Sequence, residues 1–350
     1  MGEKMNKKLK TYVFFYKYVL SSVICLNTHM STLQSLTAGI APPTQLAVAN
    51  PHPRDVRIRF YEDTHTYTID EGTGGGMDGV KFTSVTTWNH GHFEEFDADQ
   101  VITRMMASSK WPDNVRYYGK TREEIKAMWD ENRDTSAAAG TAMHYAIECF
   151  YNGCLDAATL EAAMASAIEF RYFMSFHQQW CGNLRPYRTE WTVFHEEARL
   201  SGSIDMVYEN MDPETGEPTG TLSIYDWKRC RQIVKSSAYG KFAITTEIQH
   251  LPDTNYWHYC LQLNTYKYIL ECKYGKVVTD LYLVCLHPEN ANQSYIRIRV
   301  VDLQQEVADL VHSRISGLEQ AERLAAEAAG CGLKDPENDE CVDIVIDDVQ

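Results

Sequence analysis

The strings G-S-I-D-M-V-Y (residues 202–208) and S-I-Y-D-W-K (residues 223–228) decide how this chain is read. Both are short and rich in Ile, Val and Tyr, the composition of buried strands. Between them, N-M-D-P-E-T-G-E-P-T-G (residues 210–220) is dense in turn residues. The two strands therefore read as a hairpin. With a tip between Thr215 and Gly216, Asp205 and Asp226 stand directly opposite each other. Lys228, two residues past Asp226, projects from the same face. Two carboxylates and a lysine on one buried face are costly to desolvate. A divalent cation would offset that cost, and hard cations such as magnesium prefer carboxylate oxygens.

Working outward, R-T-E-W-T-V-F (residues 188–194) reads as a further strand, with Glu190 at its start. Helical patterns cover Ala137–Tyr151, with Asp134 or Thr135 as cap, then Ala157–Trp180 as one helix, Asn255–Tyr274, and Leu303–Ala329. R-I-R-F-Y, T-Y-T-I and V-K-F-T-S-V-T-T read as strands within residues 56–88. The Gly-rich run from Gly72 to Gly79 reads as a hairpin loop. A phosphate loop is not indicated, because no Gly-Lys-Ser/Thr and no helix follow it. D-L-Y-L-V-C-L and Y-I-R-I-R-V close a central sheet. The pattern is that of an α/β (α+β) domain with a central mixed sheet flanked by helices.

Two pairs of residues share helical faces four positions apart: His144 with Glu148, and Gln262 with Tyr266. Taken alone, each pair also suits an ordinary polar or half-buried helix surface. The loop after the second strand carries Lys228, Arg229, Arg231, Lys235 and Lys241 without an acid, together with Ser236, Ser237 and Gly240. Such groups suit phosphate contacts, although a plain solvated loop has the same composition.

At 350 residues and 44% hydrophobic, the chain can bury a full core as one large domain or two small ones. Eleven per cent aromatic content excludes a disordered chain. The net charge of −15 is unevenly spread: residues 301–350 hold thirteen Asp/Glu and three Lys/Arg, leaving −5 for the first 300. The acidic stretch from Asp335 to Asp348 reads as disordered and solvated; competition with nucleic acid for a basic groove is the more pointed reading. Ten cysteines without a C-x-x-C pair argue against structural zinc and for an intracellular reducing compartment such as cytoplasm, nucleus or mitochondrion. The apolar run from Tyr12 to Leu26 is interrupted by Lys17 and is too short and broken to span a bilayer, so no membrane association is expected. Residues 1–29 read either as a targeting segment or as an extension ahead of a start at Met30.

Asp205, then D-W-K at Asp226 to Lys228, resembles the PD-(D/E)XK nuclease superfamily. With G-T-A-M-H-Y-A-I-E upstream and Q-L-N-T-Y downstream, the order resembles the RecB-type, lambda-exonuclease-like branch. That branch includes the mitochondrial genome maintenance exonuclease and nucleases of large DNA viruses. The resemblance runs from about Val56 to Val300 and implies a restriction-endonuclease-like core over residues 134–300. Residues 56–133 would form a strand/helix subdomain, 301–330 a C-terminal helix and 331–350 an acidic tail, after an extension at 1–55. It implies a Mg2+ (or Mn2+) ion on His144, Asp205, Asp226 and the Trp227 carbonyl, with no small-molecule cofactor. Lys228 would serve the attacking water, and Glu190 would lie near the metal, although a structural ion pair suits it equally. Gln262 and Tyr266 would contact the strand and support the lysine, and Glu148 would orient His144. Arg229, Arg231, Lys235, Ser236 and Lys241 would bind DNA. The activity implied is that of a DNA exonuclease on single strands or duplex ends, in replication, repair or recombination. An endonuclease on the same fold and a non-catalytic nucleic-acid-binding module remain as alternatives.

Overall fold

A computed structural model of the chain describes residues 33–61, 64, 66–70, 82–237 and 240–330. The run before Thr32, the Gly-rich run and the acidic tail, with the readings made of them, lie outside these residues. A short helix, Gln45–Ala49, and a 3-10 turn, Asp55–Arg57, precede a small hairpin, β1 (Ile58–Tyr61) against β2 (Thr66–Ile69). Then come β3 (Thr83–Ser84), α1 (Val85–His90), α2 (Ala98–Ala107), α3 (Arg122–Tyr151), α4 (Ala157–Ser166) and α5 (Ile168–Trp180). Three long strands follow: β4 (Leu184–His195), β5 (Leu200–Met211) and β6 (Pro218–Lys228). After α6 (Asn255–Tyr274), β7 (Val278–Cys285) and β8 (Ile296–Arg299) complete the sheet, and α7 (Gln304–Gly330) covers it.

The sheet is six-stranded and mixed. Helices cover both faces, as the sequence pattern implied. On one side, Phe170, Phe173 and Phe176 of α5 and Met143, Ala146 and Ile147 of α3 pack on Met206, Tyr208, Tyr225 and Trp227. On the other, Leu261, Ile269 and Leu270 of α6 and Val307 of α7 pack on Leu222, Ile224 and Leu283. The three phenylalanines recur every third residue along α5, so all reach the same sheet face. Burying each contributes about 1.5–3 kcal/mol. No helix of the described residues is long and apolar enough to cross a membrane.

The topology opens a gap where the chemistry sits. β4 pairs with one edge of β5 from Leu184↔Asn210 to His195↔Leu200. β3 and β6 must then share the other edge. β3 takes Leu200 and Ser201 in parallel, while β6 takes Met206 to Met211 antiparallel. Gly202 to Asp205 lie between them, where neither strand pairs. Tyr266 of α6 fills part of the gap: a Cβ added at Gly202 would fall 2.8 Å from its hydroxyl oxygen.

Four local expectations change. The helix carrying His144 starts at Thr121, not at Asp134 or Thr135. Thr121 accepts from the Glu124 amide while Glu124 Oε2 accepts from the Thr121 amide at 2.7 Å, a capping box that starts the helix earlier. The boundary placed between residues 133 and 134 thus falls inside one unbroken helix. Ala157–Trp180 is two helices, broken at Ala167, where the backbone is extended. Ser166 just before it donates back to the Ala162 carbonyl at 2.7 Å, a side-chain bond that bends helices. Among the described residues of V-K-F-T-S-V-T-T, the strand is the two-residue β3, because Ser84 accepts from the Thr87 amide and starts α1. The hairpin loop also closes one step off Thr215–Gly216, with the Asp212 amide on the Glu217 carbonyl. A bulge between Glu209 and Met211 absorbs the difference.

A buried ion pair joins α5 to the end of β6. Arg229 Nε lies 2.7 Å from Glu169 Oε1, with the two side chains 9% and 8% exposed. Removing one partner leaves an uncompensated buried charge. Glu169→Ala is expected to lower unfolding free energy by about 3–5 kcal/mol in urea titrations. A Glu169→Met/Arg229→Met double variant is expected to recover most of that loss; a double variant as unstable as the single would remove the electrostatic account.

Candidate metal centre

Three side chains from three elements meet at the gap. His144 comes from α3, Glu190 from β4 and Asp205 from β5. Their ligand atoms all lie within 4.8 Å of one another, the one such group of three or more among the described residues. His144 Nδ1 is 3.5 Å from Asp205 Oδ2 and 3.8 Å from Glu190 Oε1.

The backbone explains each placement. The pairs Met206↔Tyr225 and Val207↔Ile224 bring Asp205 level with Asp226, as the hairpin reading requires. The Trp227 amide then donates to Asp205 Oδ2 at 2.9 Å, closing the ladder through a side chain. The pairs Thr189↔Met206 and Trp191↔Ile204 bracket Glu190 opposite Asp205 on the other neighbouring strand. Glu190 itself has φ +43°, in the left-handed region that a non-glycine residue enters at a cost of about 1–2 kcal/mol. Ser203 donates to its Oε2 at 2.8 Å. His144 Nε2 lies 2.9 Å from the Trp227 carbonyl. A carbonyl only accepts, so Nε2 carries the hydrogen and Nδ1 faces the carboxylates.

Asp226 is 3% exposed and stands beside this group rather than within it. Its Oδ2 lies 2.6 Å from Lys228 Nζ in a buried ion pair. The ammonium also sits 4.6 Å above the Tyr259 ring. Asp226 and Lys228 therefore share a face, as the two-residue spacing requires. Tyr259 had no sequence signal of its own; it lies three residues before Gln262 on the same helix.

Electrostatics follow from crowding charges in a buried gap. Burial works against charging His144, but Asp205 and Glu190 outweigh it and raise its pKa to about 9. Burial, with repulsion from Asp226 and Glu190, raises Asp205 to about 7 despite His144 and Lys228. Burial and the nearby Glu190 raise Glu148 to about 7. Lys228 is held above its usual value: burial opposes its charge, and Asp226 and Asp205 prevail.

The donor set fits a hard divalent cation. It offers two carboxylates and an imidazole nitrogen, and the Trp227 carbonyl keeps a second lone pair beside them. This differs from the expected set, with Glu190 inside the group and Asp226 outside it. Glu190 makes no structural ion pair with Lys or Arg among the described residues; its partners are His144 and Ser203.

The other expected residues spread out. Tyr266 is buried against Gly202, and burial pushes its hydroxyl well above the usual range while Gln262 works against that. It supports the gap and presents nothing to solvent; Gln262 is half-buried. Arg229 is consumed by Glu169. Arg231 pairs with Glu289, and Lys241 with Glu94 at 2.6 Å. Lys235 Nζ lies 4.4 Å above the Tyr256 ring, and Ser236 is exposed. The basic island is thus largely neutralised within the fold.

No family model matches this chain, and no curated protein matches it.

Two outcomes follow from the geometry. Glu190→Gly is expected to be about 1 kcal/mol more stable than Glu190→Ala, because only glycine relieves the left-handed backbone. Both are expected to weaken Mn2+ binding alike; equal melting temperatures would remove the strain. Cation binding also requires His144 Nδ1 and Asp205 to be free of protons, which they hold up to about 9 and about 7. Apparent Mn2+ affinity, measured by calorimetry, is therefore expected to rise by about tenfold per pH unit between 7 and 9. An affinity flat across that range would show that the ion displaces no proton from His144 there.

Proposed function

We propose that the protein is a divalent-metal-dependent nuclease that hydrolyses phosphodiester bonds in DNA. The reading is an exonuclease of the RecB-type branch of the PD-(D/E)XK superfamily, on a restriction-endonuclease-like core. The observation that carries it is the convergence of His144, Glu190 and Asp205 beside the Asp226–Lys228 pair, at a gap between diverging strands. Two carboxylates and an imidazole within 4.8 Å of one another are the donors a divalent cation would take.

His144, Glu190 and Asp205 would hold Mg2+ or Mn2+, with the Trp227 carbonyl beside them. When bound, the ion would lower the pKa of a water and neutralise charge on the phosphate. The protein residues have separable tasks. The Trp227 amide fixes one Asp205 oxygen, and the Trp227 carbonyl fixes the ring of His144. Lys228, held charged by Asp226, is unsuited to taking a proton. It is suited to orienting the attacking water or a phosphate oxygen by donating to it. Tyr259 and Asp226 limit its rotamers from two sides.

The test is Mg2+- or Mn2+-dependent digestion of end-labelled linear DNA, single- and double-stranded, beside covalently closed circles. Asp205→Asn and Lys228→Ala are expected to reduce turnover by at least about a hundredfold, and chelation to abolish it. Digestion of linear DNA only supports the exonuclease. Cleavage of circles moves the reading to an endonuclease, and binding without cleavage moves it to a non-catalytic module.

A further inference from the structure

The exposed charge suited to a nucleic-acid strand is not where the basic island stands. It lies on an arm formed by α2, the loop 108–121 and the first half of α3. The arm has its own small core: Ile102 and Ile125 are fully buried, and Trp129 Nε1 donates to the Tyr117 hydroxyl at 2.9 Å. The rings of Phe96 and Tyr117 flank Trp129 at 5.9 and 6.1 Å.

The loop carries Lys110, Arg116 and Lys120 against one acid, Asp113, in a chain of net charge −15. All three cations are exposed, and none makes an ion pair among the described residues; Arg116 instead lies 5.2 Å over the Tyr117 ring. At the helix ends, Arg104 and Arg122 bond the neutral Gln100 and Thr103 side chains. Among these cations lies an edge-on pair, Trp111 and Tyr118, with ring centroids 6.0 Å apart; Tyr118 is 56% exposed. Cations alternating with one exposed and one half-buried ring form a surface on which a phosphate backbone pairs and unstacked bases stack. Duplex DNA offers no free base faces to such rings.

The arm is rigidly coupled to the metal centre. Trp129 and His144 are fifteen residues apart on one helix, about 22 Å along its axis and about 60° around it. The surface between them on that side carries the small residues Ser136, Ala137 and Gly140, and the long, exposed side chain of Arg133, which pairs with Asp130 and Asp134.

We propose that the arm binds single-stranded nucleic acid, with Lys110, Arg116 and Lys120 on its phosphates and Trp111 and Tyr118 against its bases, and leads the strand to His144. The proposal rests on the phosphodiesterase reading of that centre. It places strand affinity several nucleotides from the scissile bond.

The experiment is fluorescence anisotropy of the full chain with a labelled 20-nucleotide single strand in EDTA, across a salt series. A Lys110→Ala/Arg116→Ala/Lys120→Ala variant is expected to bind about tenfold or more weakly at low salt. Its slope of log affinity against log salt should be shallower by about two, for three lost contacts at about 0.7 each. Tyr118→Ala, which keeps every charge, is expected to lose about fivefold or more with the slope unchanged. Wild-type affinity and slope in the triple variant would overturn the proposal. So would tighter binding of a matched duplex through the same residues, or no binding of the strand by the wild type. Mn2+-dependent hydrolysis of bis(p-nitrophenyl) phosphate by the wild type tests the catalytic reading separately, because so small a diester never reaches the arm. Absent hydrolysis with arm-dependent binding would sink the catalytic reading and support the strand surface.

Discussion

Everything at the candidate centre depends on one edge of β5 being shared by two strands that do not meet. β3 holds Leu200 and Ser201, β6 holds Met206 onward, and on that edge the residues between pair with neither strand. Unpaired backbone inside a sheet is costly unless something else satisfies it. Here the Trp227 amide turns to the Asp205 carboxylate, and Tyr266 packs against Gly202. The gap is therefore filled with groups that bond and charge rather than with aliphatic side chains. A ligand can enter a sheet at such a point without dismantling a ladder.

The cost of that arrangement is concentrated in a few residues. Asp205 and His144 titrate far from their ordinary values because each is buried among other charges. Glu190 occupies a backbone region that its side chain disfavours. These strains sit together, and the surrounding layers resist their relaxation: α3 and α5 on one face, α6 and α7 on the other, with Glu169 and Arg229 tying α5 to the end of β6. Local instability held by a rigid frame is the usual physical signature of a binding or reacting centre. The same frame explains why the cations nearest Lys228 are unavailable to a ligand. They are spent on Glu169, Glu289 and Glu94. The loop cations of the arm, Lys110, Arg116 and Lys120, make no ion pair among the described residues.

Much of the centre was legible before any coordinates. Period-two alternation placed Asp226 and Lys228 on one face, and the composition of residues 210–220 set Asp205 against Asp226. Both are local consequences of strand geometry, which a sequence carries directly. His144 was legible as a helical residue, and its place at the centre is a long-range contact across 61 residues of chain to Asp205. Glu190 could be named but not placed, because its position depends on a left-handed backbone that no pattern for glutamate announces. The helix boundary at Thr121 was overlooked although its T-x-x-E capping box is a local signal; the polar residues at Asp134 and Thr135 imitate a cap in the middle of the helix.

By itself, then, the sequence determined a mixed α/β sheet covered by helices, and the face on which the two aspartates and the lysine lie, because burial periodicity and turn chemistry are short-range. Only the tertiary structure decided which carboxylates gather at one point, which lysines and arginines are neutralised, and where uncompensated positive charge remains. Those depend on distances between residues far apart in the chain. Charge interactions act through space at a strength set by burial, and neither distance nor burial is written in the order of the residues.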